Sequence, residues 1–175
     1  MTADRSTGQT WRYLAYGSNL HPLRLTARTP SARLVGTDVI QGWQLVFHKR
    51  GQDGSGKCNI RPADGAVFAA VYELETFDME TLDAIEGVNR GYQRHTLQAK
   101  NFGRCEVYLA EQSHVDPAIR PFCWYRSLVL EGCRYHGFPD DYVAPIHAVD
   151  HVRDEDPARR GLHEGLLARM RGHTR

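Results

Sequence analysis

The segment 16–20 (YGSNL) has residue types that could bind an anion or stabilise an oxyanion. It follows the aromatic and apolar run 11–16, which predicts a strand, and it precedes Pro22, which favours the start of a helix near residues 22–28. A corner between a strand and a helix exposes unpaired backbone N–H groups, and such groups bind carboxylates or developing negative charge on oxygen. The alternative is a plain turn in which Ser18 or Asn19 caps the helix.

Glu86 is the second residue whose placement suggests chemistry. The pattern from Asp78, read as an N-cap, to Gly87, read as a stop signal, predicts a helix with Glu86 in its last turn. The apolar face of this helix carries Met79, Leu82 and Ile85. A carboxylate at this end faces the negative pole of the helix dipole, which costs about 0.3–1 kcal/mol when exposed. Such an acid is a candidate general base; the alternative is a solvated surface glutamate.

The segment 51–57 (GQDGSGK) offers a competing, nucleotide-binding interpretation because it matches the start of a phosphate-binding loop. Cys58 then stands where a Mg²⁺-binding Ser or Thr is needed, and Pro62 comes too soon for the required helix. The other interpretation is a flexible loop between strands that borders the active site, since Asn59 and Ile60 follow it directly.

Two pairs of side chains have spacings that a metal site or a nucleophile would use. His147 and His151 have the spacing of a zinc pair on one helix face, but no third ligand is evident, so surface histidines are favoured. Cys133 and His136 could form a dyad, although a packed thiol is the better interpretation. The sequence contains no Cys-x-x-Cys pair, which favours reduced, buried thiols.

Composition limits the function classes. The chain has 175 residues, 41% hydrophobic and 25% charged, which is typical of one globular domain. Its longest apolar run, 66–72, is far short of the ~20 residues of a membrane-spanning helix. The net charge of +1 provides no attraction to nucleic acid or membranes. No apolar signal core follows the first residues, so we expect a cytoplasmic protein.

The elements that must position these residues are several strands followed by helices. Residues 1–10 are expected to be disordered or frayed. Strands are predicted at 11–16, at 33–50 as two strands or one bent strand, at 66–73, and in a hairpin of 93–100 with 106–110. Further helices are predicted from 121 to about 137, at 139–147, and after residue 153. This order indicates an α+β fold with a mixed sheet.

Taken together, the first two segments resemble the γ-glutamylcyclotransferase, or AIG2-like, family. Residues 13–20 (YLAYGSNL) are similar to the family's substrate loop, and residues 82–88 (LDAIEGV) to the stretch that holds its catalytic glutamate. Weaker similarity continues through Asn59-Ile60 and the strand up to residue 74. It then covers Trp124-Tyr125-Arg126, Gly132 and 136–143, so that the resemblance spans about residues 11–147.

The resemblance implies a fold and a set of site residues. The expected fold is α+β, a mixed β-barrel or strongly curved sheet with flanking helices at 11–150, followed by a C-terminal helical extension at 151–175. Glu86 is the expected catalytic residue. The expected substrate-binding residues are Tyr13, Leu14, Ala15, Tyr16, Gly17, Ser18, Asn19 and Tyr125.

The implied reaction is an intramolecular aminolysis. The substrate's own α-amino group attacks its γ-glutamyl carbonyl, 5-oxoproline closes, and an amino acid or amine leaves. Glu86 would take the proton from the amino group and return it to the departing nitrogen, while backbone N–H groups of residues 17–19 stabilise the oxyanion.

The expected partner is a small γ-glutamyl substrate, with no cofactor, no metal, no nucleic acid and no membrane; a homodimer is left open. The leaving amine is also open between an amino acid, a polyamine-like amine, Cys-Gly and a biosynthetic intermediate. The alternative function is a non-catalytic domain of the same fold that binds a small acid or a protein.

Overall fold

In the computed structural model, which describes residues 8–173, strands and helices follow one another in the predicted order. The strands are β1 (Thr10–Ala15), β2 (Arg33–Arg50), β3 (Gly56–Glu75), β4 (Tyr92–Ala99) and β5 (Gly103–Ala110). The helices are α1 (Pro22–Arg28), α2 (Thr76–Glu86), α3 (Cys123–His136), α4 (Asp140–His147) and α5 (Pro157–Arg171), with a 3₁₀ turn at Gln112–His114. Of the segment 1–10 expected to be frayed, residues 1–7 lie outside the described residues, and Thr10 already begins β1.

The five strands form one sheet in the order β2-β3-β1-β5-β4. The central strand β1 runs antiparallel to β3 and parallel to β5, and the two outer pairs are antiparallel. The sheet is curved and unclosed. The α+β class is therefore confirmed, and of the two expected forms the sheet takes the curved one. Asp38 of β2 accepts hydrogen bonds from the backbone and side-chain amides of Asn101, which connects one edge of the sheet to the β4–β5 turn.

The segment 33–50 is a single bent strand rather than two. Its pairing with β3 shifts register near Gly36 and Gly42. Gly42 has a φ of 83°, a left-handed backbone conformation that residues with a side chain rarely adopt. β3 is longer than the predicted 66–73, since it begins at Gly56. A strand, not a helix, therefore follows the loop 51–55, and the interpretation as a phosphate-binding loop is wrong.

Helix α2 ends at Gly87 as predicted but differs from its prediction at the N-terminal end and in its apolar face. Its N-cap is Glu75, and Asp78 lies one turn inside, where it accepts a hydrogen bond from the backbone N–H of Ser31 at 2.6 Å. Met79 and Leu82 are buried as expected, but Ile85 is 42% exposed. The apolar stripe is shorter than the sequence pattern indicates because Ile85 lies at the mouth of a cavity described below.

The C-terminal helices pack beside the sheet through α3. Gly132 of α3 makes this approach possible, because a Cβ there would lie 2.4 Å from the Cβ of Leu20. Leu167 and Met170 of α5 are buried in the same core. Asp154, fully buried, accepts a hydrogen bond from the indole of Trp124 at 2.8 Å and pairs with Arg159. In the described part of the chain, no helix has the length and apolar character needed to cross a membrane.

Buried His21 begins helix α1 and predicts a pH-dependent stability. Its Nδ1 accepts a hydrogen bond from the N–H of Leu23, which only the neutral imidazole can do, and burial lowers its pKa to about 4. Because the unfolded chain binds a proton near pH 6.5 and the folded chain does not, acid favours unfolding between pH 6.5 and 4.

We expect the native protein to lose about 2 kcal/mol of stability relative to His21→Asn between pH 7 and pH 4.5, measured by urea unfolding. Asparagine keeps a cap acceptor without titrating. A difference between the two proteins that does not change with pH would contradict this prediction.

Candidate active site

Glu86 is the last residue of α2, and Gly87 ends the helix there. Gly87 has a φ of 75°, in the left-handed region that glycine tolerates, and its N–H donates to the carbonyl of Asp83 at 3.0 Å. The side chain of Glu86 is 18% exposed. It points towards the turn after β1 rather than into solvent, so the alternative of a solvated surface glutamate is wrong.

Asn19 and Arg28 hold one oxygen of Glu86. The Nδ2 group of Asn19 donates to Glu86 Oε1 at 2.9 Å and to the hydroxyl of Tyr13 at 3.1 Å. Nη1 of Arg28 donates to the same Oε1 at 3.2 Å and to Oδ1 of Asn19 at 3.3 Å. Among the described residues none donates to Oε2 of Glu86, so this oxygen is available to accept a proton from a bound molecule.

The turn after β1 is closed by a hydrogen bond from Leu20 N–H to the Gly17 carbonyl at 3.1 Å. Neither Ser18 nor Asn19 caps α1, because His21 is the N-cap. Within residues 8–173, no group accepts a hydrogen bond from the backbone N–H of residues 17, 18 or 19. Residues 17–19 line the same cavity as Glu86, which is described below.

Gly17 is needed for close packing rather than for an unusual backbone angle. Its φ is not in the positive range, but a Cβ at this position would lie 2.9 Å from the Cβ and 3.3 Å from the Sγ of Cys58 on β3. The absence of a side chain therefore lets the turn approach β3. The backbone N–H of Cys58 donates to the hydroxyl of Tyr125 at 3.0 Å, which brings α3 to the same point.

A small inner cavity of about 30 Å³ lies between the turn and Glu86. Its wall is aromatic and contains Tyr13, Tyr16, Tyr92, Tyr108 and Tyr125. Burial raises the pKa of all five phenols above its ordinary value, which keeps them neutral. The hydroxyl of Tyr16 donates to the carbonyl of Tyr108, and that of Tyr108 donates to Asp83 at 2.7 Å.

A larger outer cavity of about 280 Å³ opens from the inner one, and the two share Ser18, Glu86, Tyr92 and Tyr125. Its lining is strongly basic. The cationic side chains are Arg24, Arg28, Lys49, Lys57, Arg90 and Arg159, against the acids Glu86 and Asp53. Residues Gly51, Gln52 and Asp53 of the β2–β3 loop also line it, as expected for a loop that borders the site.

The structure brings most, but not all, of the predicted site residues together. Glu86, Tyr13, Tyr16, Gly17, Ser18, Asn19 and Tyr125 all line the inner cavity. Leu14 and Ala15 are fully buried in β1 and line neither cavity, so their expected role in substrate binding stays a prediction. Alternation along the strand turns Leu14 to the face opposite Tyr13.

None of the six cations of the outer cavity is among the predicted site residues. Arg24 and Arg28 could have been found from the sequence, because their spacing of four residues places both on one face of α1. Lys49, Lys57 and Arg159 reach the cavity from β2, β3 and α5, which only the tertiary fold brings together.

The other candidate motifs lie elsewhere. Cys133 is fully buried in the core, and His136 contacts the carbonyl of Leu20 at 2.7 Å. His147 ends α4, whereas His151 lies beyond the helix. In residues 8–173, no three His, Cys, Asp or Glu side chains are grouped as a metal site requires.

The fold and the site define a class of α+β proteins in which a curved mixed sheet places a partly buried glutamate, here Glu86, beside the turn that follows the central strand. The AIG2-like family profile matches residues 66–146. Mouse γ-glutamylcyclotransferase is 27% identical over 82% of this chain and 80% of its own, and the human protein is 26% identical over 81% and 80%.

A solved structure named γ-glutamyl cyclotransferase superposes with a TM-score of 0.76 at 22% identity, covering 92% of this chain and 99% of that one. This structural likeness supports the fold. The sequence matches make the chain similar to γ-glutamylcyclotransferases and, over residues 66–146, to the AIG2-like family.

The close approach of Gly17 to Cys58 gives a stability prediction. Gly17→Ala forces its new methyl group against the backbone-anchored Cβ of Cys58, which we expect to cost about 1–3 kcal/mol of unfolding free energy. Gly165→Ala, on exposed α5 with open space around it, is the matched control and should be up to about 1 kcal/mol more stable than the native protein. Urea unfolding followed by circular dichroism measures both. Equal midpoints for Gly17→Ala and the native chain would contradict the packing argument.

Proposed function

We propose that the protein is a γ-glutamylcyclotransferase that converts a γ-glutamyl amide to 5-oxoproline and releases an amino acid or amine. The observation that carries this proposal is the hydrogen bond between Asn19 and Glu86, because it places a carboxylate beside three unpaired backbone donors. A general base next to an anion-stabilising turn is the pair of functions that cyclisation requires. The match to the AIG2-like family over residues 66–146 and the names of the relatives agree with this reaction.

The first step is removal of a proton from the substrate. The α-amino group is an ammonium at neutral pH and cannot attack a carbonyl until it is deprotonated. Oε1 of Glu86 is held by Asn19 and Arg28, so Oε2 accepts the proton while the carboxylate stays in a fixed orientation. Asn19 and Arg28 thus position Glu86 through Oε1 and leave Oε2 free for the reaction.

The second step is ring closure and release. The amino nitrogen forms a bond to the γ-carbonyl carbon, and the electron pair of the C=O bond moves to oxygen. Backbone N–H groups of residues 17–19 donate to this oxyanion. Glu86 then gives its proton to the departing nitrogen, the old C–N bond breaks, and the carbonyl re-forms. The ring nitrogen gives its second proton to Glu86, which passes it to the released amine, so that a neutral lactam and an ammonium leave and Glu86 is again ionised.

The shape of the two cavities supports an intramolecular reaction. The inner cavity has room for about one water molecule, so the reacting carbonyl lies at its junction with the outer cavity, where Ser18 and Glu86 meet. Neutral tyrosines line the inner wall and limit access of water, which favours attack by the substrate's own amine over hydrolysis. Holding the two reacting groups in one folded molecule supplies much of the rate enhancement.

Glu86→Gln tests the proposal. Glutamine keeps the size and the acceptor oxygen but cannot take up the proton, so we expect kcat/KM for a γ-glutamyl dipeptide to fall by about 10²–10⁴. Formation of 5-oxoproline and release of the amine are measured together. Glu80→Gln, an exposed glutamate on the same helix, is the matched control and should retain native turnover.

Near-native turnover in Glu86→Gln would contradict the assigned role of Glu86. If the native protein binds 5-oxoproline but turns over no γ-glutamyl compound, the alternative of a non-catalytic binding domain replaces the proposal.

A further inference from the structure

Two buried cations of the outer cavity lack a carboxylate at ion-pair distance among residues 8–173. Arg24 is 7% exposed and Lys49 is 5% exposed, and in the described part of the chain neither side chain forms an ion pair or a hydrogen bond. The Nε of Arg24 is completely enclosed and lacks an acceptor. Burying a charge without a counter-charge is costly, so a buried cation that faces a cavity indicates an anionic ligand.

The acids of the cavity are already paired with other cations. Glu86 pairs with Arg28 at 3.2 Å, and Asp53 pairs with Lys57 at 2.7 Å. Arg159 pairs with Asp154 at 2.6 Å. No carboxylate of the lining is therefore left for Arg24, Lys49 or Arg90, and of these three cations Arg24 and Lys49 are buried whereas Arg90 is exposed.

The positive charges of Lys49 and Arg24 both act on Lys57. Burial lowers the pKa of the Lys57 ammonium, and the positive charges of Arg24 and Lys49 lower it further, so both are near Lys57. Lys49 is held over the ring of Tyr92, with 4.3 Å from Nζ to the ring centre, whereas Arg24 lies on α1 beside Arg28. His163, stacked on Trp124, has its pKa lowered to about 4 by burial and so adds no charge at neutral pH.

We infer that the outer cavity takes a leaving group with two carboxylates, so that the preferred substrates are γ-glutamyl derivatives of acidic amino acids. This inference rests on the proposed function. The glutamyl half of such a substrate carries one ammonium and one carboxylate, which cancel. A leaving glutamate or aspartate then adds two negative charges, which match Arg24 and Lys49. A neutral amino acid leaves one buried cation unpaired, and a polyamine adds positive charge to a basic cavity.

The test compares γ-glutamyl-glutamate with γ-glutamyl-glutamine, which have the same shape and differ by one charge. We expect kcat/KM for γ-glutamyl-glutamate to be at least about tenfold higher in the native protein. In Lys49→Gln this ratio should fall to about one. Because both rates come from one preparation, the ratio does not depend on the fraction of folded enzyme.

Lys100→Gln is the matched control, since Lys100 is exposed and lines neither cavity, and it should keep the native ratio. A native ratio near or below one overturns the inference, and so does a ratio that is unchanged in Lys49→Gln.

Binding of the free leaving group separates this inference from the proposed function. Isothermal titration with glutamate and with glutamine should show binding of glutamate that Lys49→Gln weakens about tenfold or more and that Lys100→Gln retains. If no γ-glutamyl compound is turned over but this pattern of binding is found, the proposed function fails and the acidic site stands. If turnover occurs without any preference for glutamate over glutamine in either assay, the proposed function stands and the acidic site is overturned.

Discussion

The hydrogen bond from Asn19 to Glu86 is the contact on which the rest of the site depends. It joins the turn after β1 to the end of α2, two places separated by 67 positions in the chain. Arg28 strengthens the junction by donating to both side chains. This arrangement offsets the unfavourable position of a carboxylate at the negative end of a helix, because a cation and an amide donor replace the water that Glu86 gives up.

Close backbone approach and buried aromatic rings keep this junction free of bulk water. Gly17 allows the turn to lie against Cys58, and Tyr125 reaches the same point from α3. The enclosure also has an electrostatic cost, because the cations that line the outer cavity are removed from solvent. A ligand of opposite charge would offset this cost.

Part of this site could be predicted because its signals are local. Strand, glycine turn and helix follow one another within residues 11–28, and the helix stop at Gly87 fixes the position of Glu86. Other features depend on tertiary packing. Ile85 fits the apolar stripe in sequence yet lies at the cavity mouth, and Leu14 sits in the best-matched motif yet faces the core. The basic lining was missed because Lys49 and Arg159, which show no pattern together, meet only after β2 and α5 have packed.

A crystal structure with 5-oxoproline, the product of the proposed reaction, tests the central claim most directly. The account predicts that the lactam nitrogen lies within about 3.2 Å of a carboxylate oxygen of Glu86 and that the ring carbonyl accepts from a backbone N–H of residues 17–19. It also predicts that the hydrogen bond from Asn19 to Glu86 persists. A ring bound away from Glu86, or an ordered ring whose carbonyl faces neither Gly17, Ser18 nor Asn19, would contradict the account.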